Sequence, residues 1–167
     1  MARRIVMIGL AAAAETVKVL SERSAELTKL YSSAYLERTL KINRETAFSD
    51  KSSIFAEFSE EETEGCESGV YRALWQLGVK QKAGFEVYFD RIPIDQGAIE
   101  MADRFDYDPY DCSAGAFIAA SDNAEELVKR ALQEGIPAAV IGVFTDNNDR
   151  VVINGAVKRF LTPTGKD

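Results

Sequence analysis

Apolar positions fall into short periodic runs separated by polar turns. Ile5–Ile8 is a block of four apolar residues and reads as a short buried strand. Between Ala11 and Leu30 two periods compete. Ala13, Val17, Leu20 and Leu27 trace a helical stripe, whereas Val17 and Val19 also alternate as a strand would. Ser32–Ile42 reads as a helix with Tyr35, Leu36 and Leu40 on one face, and the indistinct stretch Phe48–Phe58 has room for a short helix. Val70, Ala73, Leu74 and Leu77 predict a helix over Val70–Leu77, with Ser68 placed to cap it. Alternation of Phe85, Val87 and Phe89 with Glu86 and Tyr88 predicts a strand over Gly84–Arg91. Asp95–Phe105 reads as a helix.

Beyond the turn "DYDPYD", Gly115–Ala120 has the composition of a buried strand. Asp122 or Asn123 can cap a helix over Ala124–Gln133, which Gly135 ends. Pro137 then opens the strand Ala138–Phe144. The turn "TDNND" returns the chain into Arg150–Ile153, predicted to pair with that strand as a hairpin. This order predicts an α/β (α+β) fold: a mixed sheet of about four to six strands with helices packed on it. No repeat or low-complexity linker divides the chain, and 167 residues suits one domain spanning residues 1–167.

Charge and composition narrow the partners. A formal charge of −7 with scattered basic residues predicts neither nucleic acid nor an anionic membrane as partner. No apolar run approaches the ~20 residues of a membrane span. The absence of histidine excludes every imidazole-dependent hydrolase and metal site. Cys66 and Cys112 are far apart and form no CxxC, a usage that suits the reducing cytoplasm. The start "MARRIVMIGLAAAAETV" imitates a signal peptide, but its apolar run is short and alanine-rich, so a first strand over Arg3–Gly9 is the favoured reading.

The candidate chemistry concentrates in "TEGCESG", residues 63–69. Gly65 and Gly69 stand before a helix, where free backbone N–H groups can cradle an anion. Yet Glu60, Glu61, Glu62, Glu64 and Glu67 crowd the same place. Like charges ~8 Å apart at an effective dielectric near 20 repel by about 2 kcal/mol. A helix end offers about 0.3–1 kcal/mol. The balance favours a plain helix start, unless a divalent cation held by carboxylates reverses it. The glutamate run has no EF-hand spacing. Cys66 beside a helix start would gain acidity, but the glutamates oppose a thiolate. Tyr71, Trp75, Phe85 and Phe89 read as core, and residues 146–149 as a turn rather than a calcium loop.

"SGVYRALWQLG", "FEVYFDRIPI", "DYDPY" and "EGIPAAVIGVFTDNNDRVVINGAVKRFL" together resemble the C-terminal domain of AIR synthase-related proteins. That superfamily contains aminoimidazole ribonucleotide synthetase, selenophosphate synthetase and the hydrogenase-maturation protein HypE. The likeness is good from Gly69 onward and looser over residues 1–60. In those families an N-terminal domain binds ATP and dimerises, and a glycine-rich loop of the C-terminal domain helps hold phosphates. The resemblance implies a stand-alone C-terminal domain whose N-terminal ATP-binding half has no counterpart here. The family loop, Asp-x-Thr-x-Gly-Gly, falls on Glu64, Cys66, Ser68 and Gly69. By that match Gly65, Cys66, Ser68 and Gly69 are the phosphate- or ligand-binding candidates, and Glu64 and Glu67 the metal candidates. ATP and magnesium are the implied cofactors, and the lost threonine and first glycine argue against them.

Two further departures follow. Ser113, Ala114 and Gly115 replace a Ser-Ser-Gly type of turn, and the chain ends "TPTGKD", without the terminal cysteine that HypE modifies. The expectation is a non-catalytic, cytoplasmic accessory with no assigned catalytic residue. It would work as a homo-oligomer or with a separate nucleotide-binding partner protein, in hydrogenase maturation or elsewhere. The alternative is an ATP- and Mg-dependent phosphate-activating enzyme with its site between subunits.

Overall fold

Ile5, Val6, Met7 and Ile8 are fully buried because their strand lies inside a sheet, paired on both edges. The structure, a computed structural model, describes residues 3–163. The strands are β1 (Arg4–Ile8), β2 (Glu62–Gly65), β3 (Gly84–Tyr88), β4 (Phe117–Ser121), β5 (Ala138–Thr145), β6 (Arg150–Asn154) and β7 (Val157–Phe160). They form one seven-stranded sheet in the order β2-β4-β1-β5-β3-β6-β7. Every pairing is antiparallel except β3 with β6, which makes the sheet mixed as predicted. The apolar run that imitates a signal peptide forms this interior strand, with Arg3 just before it and Arg4 as its first residue.

The helices are α1 (Ala13–Glu22), α2 (Ser24–Leu27), α3 (Ser33–Ala47), α4 (Ser52–Glu57), α5 (Val70–Gln81), α6 (Gln96–Arg104) and α7 (Ala124–Gln133). On one face of the sheet, α5 buries Val70, Ala73, Leu74 and Leu77 against Ile5, Met7, Phe85, Val87 and Ile118. On the other, Ile54 of α4 and Leu127 of α7 pack on Val6, Ile8, Phe117 and Ala119. Period-2 alternation along β1 and β4 feeds both cores. A separate cluster of Val19, Leu20, Leu27 and Met101 joins α1, α2, α3 and α6, which settles the ambiguous Ala11–Leu30 stretch as helical. Opposite Ile5 and Val6 the register slips by one residue; Ile141 keeps the alternation of Ala139, and the bulge brings Phe144 to the same α5 side.

Several expectations need correction. The sheet has seven strands rather than four to six. The two extra are the edge strands, β2 among the glutamates and β7 at the end. Arg150–Ile153 does not pair back on the preceding strand. β3 is inserted between β5 and β6, so Phe85 faces Phe144 on one side and Arg150 on the other. The turn at 146–149 straddles β3: Gly84 N–H donates to the Asn147 carbonyl (2.7 Å) and Phe85 N–H to that of Asp149 (2.8 Å). The true hairpin is β6–β7, turning at Gly155 with φ 62°. β3 stops at Tyr88, followed by a 3-10 turn over Phe89–Arg91. Ser68 does not cap α5; Gly69 is the cap residue. Asn123 is the cap residue of α7, as expected for one of the two candidates, but its side chain makes no capping bond; its N–H donates to the Ser121 hydroxyl. Of the four aromatics assigned to the core, Tyr71 and Phe85 are buried, while Trp75 and Phe89 are partly buried against it. Among the described residues no helix is long and apolar enough to cross a membrane.

Candidate functional site

Three loops meet where β1 and β2 end and β4 begins: residues 9–12, 66–69 and 110–116. The Cys66 backbone joins two of them. Its carbonyl accepts from the N–H groups of Ser113 and Gly69 (both 3.0 Å), and its own N–H donates to the Ala116 carbonyl (3.0 Å). Ala12, at φ 57°, donates its N–H to the buried Ser113 hydroxyl (3.0 Å), which ties in the third loop. Ser113→Ala removes the acceptor of a buried N–H. We expect a loss of about 1–3 kcal/mol in urea unfolding, with the m-value unchanged.

The start of α5 is filled by the protein itself. Val70 N–H donates to the Tyr110 carbonyl (2.8 Å). Gly69 has φ 108° and ψ 153°. A Cβ there would lie 2.9 Å from the Asp111 carbonyl oxygen and 3.0 Å from that of Tyr110. The second glycine of the loop thus has a structural reason of its own: the "DYDPYD" turn presses its carbonyls onto the helix start.

The sequence candidates occupy one loop but do not converge. Cys66 points inward and is fully buried, whereas Gly65, Glu67 and Ser68 are exposed. Burial first, then Glu67 and Glu64, pushes the Cys66 thiol up to about 12, so it is protonated at neutral pH. Glu64 accepts from Lys80 Nζ on the α5 side (2.6 Å), and Lys80 also holds the Thr63 carbonyl (3.1 Å). Glu67 instead folds back over Gly65, where its carboxylate fills the space a Cβ would take. Among the described residues no group of three or more Cys, Asp or Glu is arranged to hold a metal ion. As placed, Glu64 and Glu67 do not fit a shared magnesium.

Beside Gly65 runs a groove of about 450 Å³ lined by Lys51, Phe55, Thr63, Glu67, Gly115 and Phe117 among others. Phe55 is 43% exposed and stacks on Phe117 at 4.2 Å between centroids. Lys51 is only 8% exposed. Its Nζ donates to the Ser49 hydroxyl (2.8 Å) and to the carbonyls of Thr46 (3.0 Å) and Ser49 (3.4 Å). Burial lowers its pKa, with Asp50 opposing. Sequence reasoning missed Lys51 and Phe55 because Phe48–Phe58 carries no period. Glu60 and Glu61 face a different groove, of about 520 Å³ between α4 and α7, alongside Glu57, Lys129 and Arg130. There Arg130 pairs with Glu57 (2.6 Å) and with Glu134, and Glu61 accepts from the Ser121 hydroxyl (2.9 Å). The expectation about the "TPTGKD" end falls partly on residues 164–167, which lie outside the described residues.

No protein-family profile matches the sequence, and no curated protein does. Solved structures share the fold. One is the hydrogenase-maturation protein HypE from E. coli, at TM-score 0.72 and 13% identity, over 97% of this chain and 50% of that one. Another is a HypE–HypF complex, at TM-score 0.63 and 12% identity, over 96% and 52%. A third is thiamine-monophosphate kinase from Stenotrophomonas maltophilia, at TM-score 0.63 and 18% identity, over 93% and 50%. The chain spans about half the length of these structures.

Proposed function

We propose that residues 1–167 form one C-terminal-type domain of the AIR synthase-related superfamily, acting in the cytoplasm as a non-catalytic accessory that binds a partner protein or a small ligand. The observation that carries this reading is the start of α5, where the carbonyls of Tyr110 and Asp111 crowd Gly69. The HypE–HypF complex supports partner binding, and the HypE likeness makes hydrogenase maturation the first setting to test. A second copy or a separate nucleotide-binding protein is the partner this reading expects.

The second reading is an ATP- and Mg-dependent phosphate-activating enzyme with its cleft between subunits. The buried Lys51 ammonium on the groove beside Gly65 favours it, as does the likeness to a kinase. Gly65, Ser68 and Gly69 would then hold phosphate, and Glu64 or Glu67 magnesium after release from their present contacts. Thermal unfolding with Mg-ATP separates the two. A ligand at 100 times its Kd stabilises by roughly 2.7 kcal/mol. The accessory reading expects no shift and no ATP hydrolysis; a shift of that size with hydrolysis establishes the enzyme.

A further inference from the structure

The two edges of the sheet are finished differently. Alternation along β2 sends the peptide groups of Thr63 and Gly65 outward, and Lys80 covers the Thr63 carbonyl (3.1 Å). At the other edge, Leu161 N–H donates to the Arg150 carbonyl (2.9 Å), so that pair is hydrogen-bonded. Alternation then makes Val152–Arg159 and Asn154–Val157 the bonded pairs of β6 and β7. The N–H and C=O groups of Lys158 and Phe160 point away from the sheet. Among the described residues no strand pairs with this outer edge.

The side chains along the edge are basic and apolar. Val157 and Phe160 are 66% and 59% exposed, with Lys158 exposed between them. The Arg159 guanidinium lies over the Tyr71 ring, 4.7 Å from its centroid. Beside the edge is a cavity of about 170 Å³ lined by Phe89, Val152, Asn154, Val157 and Arg159, large enough for one small apolar side chain. Two copies pairing antiparallel through β7 would set Arg159 opposite Arg159, with both Lys158 side chains nearby, and like charges facing across strands are unfavourable.

We propose that β7 is a docking edge for an extended segment of a different protein, in which a carboxylate alternates with apolar residues. The segment adds an eighth strand: its backbone pairs with Lys158 and Phe160, its carboxylate meets Lys158, and an apolar side chain enters the Val152–Val157 cavity. This inference rests on the partner-binding reading and names the chemistry of the partner.

The test is selection from a displayed random peptide library on the whole protein, followed by binding of the best sequence as a labelled synthetic peptide. Acidic–apolar alternating sequences are expected, with the amide exchange of Lys158 and Phe160 slowed in the complex. Lys158→Pro deletes an outward N–H and leaves the bonded β6 pairs intact. It should weaken the peptide at least about tenfold, or about 1.4 kcal/mol. Lys158→Glu, which leaves the backbone untouched, should weaken it likewise and covers the case in which the proline variant fails to fold. Three results would overturn the proposal: no such enrichment, binding indifferent to both variants, or a dimer of the protein alone that Lys158→Pro abolishes. Such a failure leaves the accessory reading to another surface, whereas stabilisation by Mg-ATP with hydrolysis removes that reading while peptide binding at β7 is still measured directly.

Discussion

Replacing Gly69 with alanine is expected to cost about 1–3 kcal/mol, the range for a residue forced into a backbone region that only glycine tolerates. For a chain of this length that is a fall of roughly 2–12 °C in Tm. Two causes act together. The backbone at φ 108°, ψ 153° strains any side chain, and the new Cβ meets the carbonyls of Asp111 and Tyr110 at 2.9 and 3.0 Å. Both contacts are backbone oxygens, and that of Tyr110 accepts from the Val70 N–H, so they cannot swing aside as a side chain could. Gly135→Ala is the control. It also has a positive φ, 75°, but nothing lies within 4 Å of its Cβ, so it incurs only the left-handed penalty of about 1–2 kcal/mol. The excess loss at Gly69 reports the crowding together with its harsher backbone region. An unchanged Tm for Gly69→Ala would mean that the turn can retreat, and that the helix start can open to an anion.

This result bears on how the loop was read from sequence. Its outline, a glycine turn followed by a helix, was legible because Val70, Ala73, Leu74 and Leu77 repeat at helical spacing and all four are buried. What fills the outline was not legible. The Tyr110 carbonyl reaches Val70 from forty residues away in sequence, and no local pattern announces such a contact. The glutamate run misled for a related reason: Glu62 and Glu64 lie on an edge strand, Glu62 exposed and Glu64 paired with Lys80, so no apolar alternation marks them as strand. β3 shows the same limit at the level of topology. The turn chemistry of "TDNND" correctly marked a reversal after β5. It could not show that the strands on either side stand far enough apart to admit β3 between them. Lys51 and Phe55, the two side chains that most shape the groove beside Gly65, sit on and beside a six-residue helix too short to display a period.

Stability is expected to decline steadily as pH rises from about 9 to about 12, and Cys66 opens that window. Burial lifts its thiol from an ordinary 9.0 to about 12, with Glu67 and Glu64 adding to the effect. Burial likewise lifts the Tyr71 phenol from 10.0 to about 12, against the pull of Arg159. It lifts Tyr107 to the same value with help from Glu15, against Thr16. All three groups are neutral when protonated. Between the unfolded and folded pKa values the unfolded chain binds fewer protons than the native one, so stability falls as pH increases. The contribution is fully present below about 9 for the thiol and below about 10 for the phenols. Urea unfolding across this range, with tyrosinate absorbance followed in parallel, measures it. In Cys66→Ala the decline should begin nearer 10 than 9, because only the phenols remain. A curve flat to pH 12, or an unchanged onset in Cys66→Ala, would refute this assignment. Thiol labelling gives the matching kinetic result: in the native protein at neutral pH the half-buried Cys112 reacts, and Cys66 reacts only at the rate of opening. The consequence reaches the function. A thiol buried in the core and held protonated at neutral pH offers a phosphate neither a hydroxyl nor a reactive thiolate.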